Sequence, residues 1–162
     1  MRWPLLFLLF WSIWACVSTT RFSSSASSTP SSKYNPSQRN KEAIWQSVNR
    51  WLNTPYRYGG RSRQGIDCSG LTRSIYREVY DLELPRTVEQ QIKTGRYVQK
   101  SRLRPGDLVF FRSGGSGVID HVGIYLGQDK FIHASVRQGV IISLLSAEYY
   151  QHHYVTARRI LP

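Results

Sequence analysis

The chain is short of cysteine: only Cys16 and Cys68 occur in 162 residues. That excludes a multi-disulfide framework and an all-cysteine zinc site. It has no apolar run of the roughly 20 residues that a membrane-spanning helix needs. No repeat of about twenty residues or more is visible, which argues against a solenoid. The turn Ser113 to Gly117 lacks the Gly-Lys-Ser/Thr ending of a phosphate loop. No Gly-x-Ser-x-Gly elbow marks a serine hydrolase. Acids are scarce as well, with 10 Asp and Glu against 22 Lys and Arg, for a formal charge of +12. What is present is 41% hydrophobic and 13% aromatic residues. That is enough for a core, in a chain long enough for one ordinary domain.

The N-terminus stands apart from that domain. Met1 and Arg2 are followed by an almost continuous apolar run, Trp3 to Trp14. It has the size and charge order of a secretory segment. The run ends in Ile13-Trp14-Ala15-Cys16, which resembles the bacterial lipobox. The resemblance implies a signal peptide over residues 1–15, with cleavage before Cys16 and lipidation of Cys16. Trp14 is its one departure from the pattern. An ordinary signal peptide cut near Ala15 and an uncleaved anchor are the alternatives. By the same resemblance, Val17 in place of an Asp implies an outer-membrane lipoprotein facing the periplasm, held to the membrane by its lipid.

Residues 16–40 contain nine Ser, three Thr, Pro30 and Pro36, and no acid. Such a segment buries too little apolar area to offset its ordering entropy. It reads as a flexible tether with an end-to-end distance of roughly 25–30 Å. Removing Arg2 and the tether's Arg21, Lys33 and Arg39 leaves 18 − 10 = +8 on residues 41–162. A basic domain suggests an anionic partner. With an export signal, wall polymer, anionic lipid or plain solubility explains the charge better than nucleic acid, and no nucleic-acid partner is expected.

From Lys41 the pattern is helical first and extended later. Ile44, Val48, Trp51 and Leu52 predict a helix that Asn53-Thr54-Pro55 ends. Leu71, Ile75 and Val79 predict a second helix, with Asp67 as its N-cap. Thr87-x-x-Gln90 fits a capping box for a third, short helix that Gly95 can close. After Pro105-Gly106 the period changes to that of strands. Asp107 to Phe111, His121 to Leu126, Phe131 to Ser135, Val140 to Ser143 and Tyr154 to Ile160 read as a five-strand meander. The sum is an α+β domain.

Cys68 falls in the first turn of the second helix, where amide N–H groups and the helix dipole favour a thiolate. A small buried apolar residue is the other reading of the same position. His121 alternates with Gly123 and Tyr125 on one face of a strand. His133 alternates with Phe131 and Ser135. A three-residue loop over 127–129 would set Leu126 opposite Lys130 and Gly123 opposite His133. Both histidines then share a face as diagonal neighbours, with the small Gly123 between them. A two-residue loop would send them to opposite faces. A thiol needs a base, and the base needs an orienter; Cys68, His121 and His133 fill those roles. Zinc is the competing use, but no carboxylate or second Cys completes an obvious ligand set, so no metal and no cofactor are expected. His152 and His153, beside Tyr149 and Tyr150, read as surface or packing residues.

Several blocks in order resemble the NlpC-type cell-wall cysteine peptidases, and in particular the small NlpC/Spr lipoproteins. They are Thr54-Pro55-Tyr56-Arg57-Tyr58-Gly59-Gly60, Gly65-Ile66-Asp67-Cys68-Ser69-Gly70, Leu84-Pro85-Arg86, Pro105-Gly106-Asp107-Leu108-Val109-Phe110-Phe111, His121-Val122-Gly123-Ile124-Tyr125 and Phe131-Ile132-His133-Ala134-Ser135. The resemblance spans residues 41–162. It implies a papain-like domain with N-terminal helices packed on a five- to six-stranded antiparallel sheet. The implied activity is hydrolysis of peptide bonds in peptidoglycan stem peptides or cross-links. Cys68 matches the nucleophile, His121 the base, His133 the third polar residue and Tyr56 an active-site tyrosine. Asp67, Ser69 and Arg86 are candidates for oxyanion or substrate contacts, although a cap role for Asp67 and structural roles for the other two compete. A monomer acting on a peptidoglycan peptide is the expected state. The alternatives are an amidase or acyltransferase on another amide or ester, or a silent wall-binding module. Whether a D-glutamyl–diamino acid bond or a D-alanyl–diamino acid cross-link is cut stays open.

Overall fold

A computed structural model describes residues 36–114 and 117–161. The signal segment, Cys16 and the tether up to residue 35 lie outside them. Helix α1 (Pro36–Trp51) starts at Pro36 rather than at Lys41. A proline is well tolerated there, because the first turn of a helix has no use for its missing N–H. Asn53, in the left-handed region at φ 63, and the following Thr54-Pro55 end it. A small hairpin, β1 (Arg61–Ser62) and β2 (Gly65–Ile66), leads into α2 (Cys68–Tyr80). Asp67 caps α2, its Oδ1 accepting from the Gly70 N–H at 2.7 Å. Thr87 caps the short α3 (Val88–Gln91) by accepting from the Gln90 N–H.

Six strands follow: β3 (Arg96–Tyr97), β4 (Leu108–Phe111), β5 (His121–Gly127), β6 (Lys130–Ser135), β7 (Gly139–Leu144) and β8 (Tyr154–Arg159). A short helix, α4 (Glu148–His153), joins β7 to β8. The strands form one antiparallel sheet in the order β3-β8-β4-β5-β6-β7. The expected meander therefore holds only from β4 to β7. The last strand does not continue past β7 but returns to pair with β4. An ion pair holds it there: Arg159 Nε and Nη2 donate to the two oxygens of Asp107, at 2.7 and 2.6 Å. Such a buried, two-pronged pair is both strong and geometrically selective.

The sheet has two unlike faces. Leu108, Phe110, Val122, Ile124, Ile132, Ala134 and Val140 point to the helices and join Ile44, Val48, Leu71 and Ile75 in the main core. Each of these side chains except that of Ala134 contributes roughly 1.5–3 kcal/mol on burial. Glu78 ties α1 to α2, accepting from Ser47 Oγ at 2.6 Å, Arg50 Nη2 at 2.9 Å and Trp51 Nε1 at 3.1 Å. The opposite face carries a smaller cluster built on Val109, Phe111, Phe131, Leu145 and Ala157, with Tyr150 of α4 packed against it.

The β5–β6 turn resolves the question of facing. Gln128 and Asp129, at φ 51 and 65, form a tight two-residue loop, and Gly127 pairs with Lys130. Unaided, that loop would separate the histidines. A bulge at Leu126 then absorbs one residue, so Tyr125 pairs with Phe131 and Ile124 with Ile132. This is the register expected for a three-residue loop, reached by a different route. The predicted pairing of Leu126 with Lys130 is replaced by Gly127 with Lys130.

Candidate active site

Cys68 opens α2 because Asp67 caps it, and the start of that helix abuts the start of β5. The Cys68 thiol faces the Asp120 carbonyl at 3.9 Å. On β5, His121 turns away from the helical core toward Phe111, with ring centroids 6.1 Å apart. On β6, His133 stacks on Phe131 at 4.9 Å. The two imidazoles meet at 2.8 Å, His121 Nε2 to His133 Nδ1, with their planes nearly perpendicular. Gly123 makes the approach possible: a Cβ there would lie 2.7 Å from the Ile132 carbonyl oxygen and 3.3 Å from the His133 Cβ. Since Nε2 is taken, Nδ1 is the nitrogen His121 can offer to the thiol.

The third link was not read from the sequence. His133 Nε2 lies 3.0 Å from Ser143 Oγ on β7 and 3.0 Å from the Tyr150 hydroxyl on α4. Neither residue carries a local signal, because only the packing of α4 and β7 against His133 brings them there. With His121 donating Nε2–H to Nδ1 of His133, His133 carries its own proton on Nε2 and donates it to one of these hydroxyls.

Cys68, His121 and His133 line one cleft of about 710 Å³ with Tyr56, Asp120, Arg137, Tyr149 and Tyr150. A neighbouring cleft of about 430 Å³ shares Tyr56, Cys68 and Asp120, and adds Asp67, Ser69 and Arg86. The sequence candidates are therefore brought together around one sulfur, in two adjoining clefts. Arg86 grips Asp67 with Nη1 at 3.0 Å and Nη2 at 2.6 Å, and Nη1 also donates to Ser69 Oγ at 2.9 Å. The Gly59 N–H donates to Asp67 as well. His152 and His153 do not line the clefts; their Nδ1 atoms bond the carbonyls of Glu148 and Tyr149. Among the described residues, no group of three or more His, Cys, Asp or Glu side chains is placed to hold a metal ion.

Burial governs the electrostatics. It pushes the Cys68 thiol up to about 11; the Asp67 charge adds to this, while N–H groups of Val122, Ser69 and Cys68 itself oppose it. The helix start favours a thiolate, and desolvation opposes it. Burial also lowers His121 to about 4 against the pull of Asp120, and lowers His133 to about 3 with help from His121. Burial thus favours a neutral thiol beside a neutral imidazole before substrate arrives. Burial would raise the Asp67 carboxyl, but the hydrogen bonds from Arg86 and Gly70 hold it below the usual carboxylate range.

The domain that carries this cysteine and histidine pair matches a known family. The model of the NlpC/P60 family matches residues 53–159. The chain belongs to the NlpC/P60 family. It is 46% identical over 121 residues to the murein DD-endopeptidase MepS/murein LD-carboxypeptidase of Escherichia coli K12, covering 75% of this chain and 63% of that protein. It is 48% identical over 110 residues to the probable endopeptidase NlpC of the same strain, covering 68% and 71%. A crystal structure of an NlpC/P60 family protein from Bacillus cereus superposes with a TM-score of 0.69 at 35% identity, covering 75% of this chain and 40% of that one. The chain thus spans less than two thirds of the length of the first relative. What it shares with the solved NlpC/P60 structure is the α+β fold, which in this chain carries a six-stranded sheet.

Proposed function

We propose that this protein is a cysteine peptidase that hydrolyses peptide bonds in peptidoglycan stems or cross-links. The carrying observation is the 2.8 Å contact between His121 and His133 in the cleft that Cys68 lines. One relative is named a murein DD-endopeptidase and another a probable endopeptidase, which supports the same reading.

Substrate binding excludes water, and the Cys68 proton moves to Nδ1 of His121. The sulfur attacks the peptide carbonyl. N–H groups at the start of α2, that of Cys68 included, hold the oxyanion, with the Tyr56 hydroxyl beside them. His121 then gives its proton to the leaving amine, and the amide C–N bond breaks. Water, activated by His121, hydrolyses the thioester and restores the thiol. His133 keeps His121 in the tautomer whose Nδ1 is free to accept. Asp67, Ser69 and Arg86 shape the wall that receives the acyl side of the substrate.

Purified peptidoglycan incubated with the protein, followed by mass spectrometry of muropeptides, tests this. New fragments, each carrying one added water across an amide, are expected. Cys68→Ala should lower turnover by about a thousandfold or more. No fragments from the wild type, or undiminished release by Cys68→Ala, would falsify the proposal. We further propose that Cys16 carries the lipid and that the mature protein is a monomer at the outer membrane facing the periplasm. The lipobox-like Ile13-Trp14-Ala15-Cys16 supports this reading. Labelled palmitate should enter the wild type and not Cys16→Ser; equal labelling of both excludes the anchor.

A further inference from the structure

The two clefts meeting at Cys68 differ in one respect that orients the substrate. His121 lines the larger cleft and not the smaller. The leaving amine must take its proton from His121, so the residue that departs lies in the larger cleft. The acyl side then lies along Asp67, Ser69 and Arg86. These cations and anions are already satisfied by one another through the Arg86 grip on Asp67.

The leaving-side cleft is charged differently. Its lining includes Arg137, an exposed residue in the turn between β6 and β7. Arg137 takes part in none of the ion pairs among the described residues. Among the described residues, the one carboxylate lining that cleft, Asp120, is committed elsewhere. Its Oδ1 accepts from the Ser113 N–H at 2.7 Å and the Ser113 hydroxyl at 2.9 Å. These bonds hold it below the usual carboxylate range against the effect of burial. The cleft therefore offers an uncommitted guanidinium fork, the group best suited to a planar carboxylate.

The geometry points to Arg137 as a specificity-determining residue that binds a free carboxylate on the leaving residue of the substrate. This deepens the peptidase reading and rests on it. It also separates the two candidate bonds. In a D-alanyl–diamino acid cross-link whose diamino acid bears a carboxyl on each amine-bearing carbon, as diaminopimelate does, the carbon of the leaving amine carries a carboxylate that makes no further bond. In the D-glutamyl–diamino acid stem bond, the neighbouring carboxyl is consumed as an amide wherever the stem continues. Arg137 thus selects the cross-link.

The test uses two cross-linked dimeric muropeptides that differ only in the leaving residue's carboxylate, free in one and amidated in the other. Initial rates give kcat and KM separately for the wild type, Arg137→Ala and Arg137→Lys. The wild type should show a KM about tenfold lower for the free carboxylate, the scale of one charge-assisted hydrogen-bonded contact. Arg137→Ala should raise that KM about tenfold, leave the amidated substrate unchanged and keep kcat within about twofold. Arg137→Lys should recover part of the preference. Equal KM values for the two substrates in the wild type would overturn the assignment, and so would a preference that survives in Arg137→Ala. Either result leaves the peptidase reading standing. Cleavage of neither substrate by the wild type overturns that reading, and the role of Arg137 with it.

Discussion

On β5, Val122 and Ile124 turn toward α2 and are wholly buried among aliphatic side chains. His121 and Gly123, alternating with them on the same strand, turn the other way, toward Phe111 and His133. The same division runs along β6, with Ile132 and Ala134 on the helical side and Phe131 and His133 opposite. One face is apolar and needs only complementary volume. The other buries polar groups that lower its stability unless each finds a partner. The contrast teaches that the period of two in a strand lets the same twelve or so residues build the core and aim the chemistry without compromise between them.

The sharpest way to break this division is at His121. His121→Gln should lower kcat/KM on muropeptides by about a thousandfold, within the range of a lost general base. Its urea midpoint should stay close to wild type. A large loss of stability would show that the imidazole face also carries the fold. The converse substitution is Ile132→Ala on the helical face. It should cost about 2–5 kcal/mol in denaturant unfolding, while kcat of the folded fraction is retained. A loss of kcat equal to that of His121→Gln would erase the distinction between faces.

A subtler consequence follows from the buried histidines. The unfolded chain takes up a proton at His121 as pH falls through about 6.5, the ordinary histidine value. The folded chain does so only near 4. The unfolded state therefore binds more protons in that window, and stability falls as pH drops from about 6.5 to about 4. His133 extends the same trend toward about 3. Thermal melts of the wild type and His121→Gln, similar at pH 7, should separate toward pH 4, with the wild type losing more stability. Parallel curves would mean that His121 does not titrate differently in the two states.

The smallest expected effect is at Tyr150. Tyr150→Phe removes one of two hydroxyls that can take the His133 proton, and Ser143 remains. A loss of about threefold to tenfold in kcat, the scale of one hydrogen bond of about 1 kcal/mol, is expected with KM unchanged. The pair Tyr150→Phe and Ser143→Ala should lose more than the sum of the single effects. Simple additivity would indicate that neither hydroxyl positions His133.

Much of the site was legible before any coordinates. Asp67 announces a helix start, so Cys68 falls on its first turn. Alternation places His121 with Gly123 and His133 with Phe131. The β5–β6 register was legible too, but its cause was not, since a bulge at Leu126 compensates for a shorter loop. Tyr150 and Ser143 were out of reach, because nothing near them in sequence mentions His133. The course of β8 was misread for a similar reason: Arg159 reaches Asp107 across 52 positions, a distance that no local pattern reports.

The sequence alone determined which residue types alternate, where helices begin and which side chains are capable of acid–base chemistry, because those properties depend on neighbours a few positions away. Tertiary structure alone set the desolvation that opposes charge on the pair. A helix start favours a thiolate, yet packing α2 against β5 removes water from Cys68 and His121, and desolvation favours the neutral form of each. It also decided that β8 returns to β4, because an ion pair between distant residues exists only once the chain has folded.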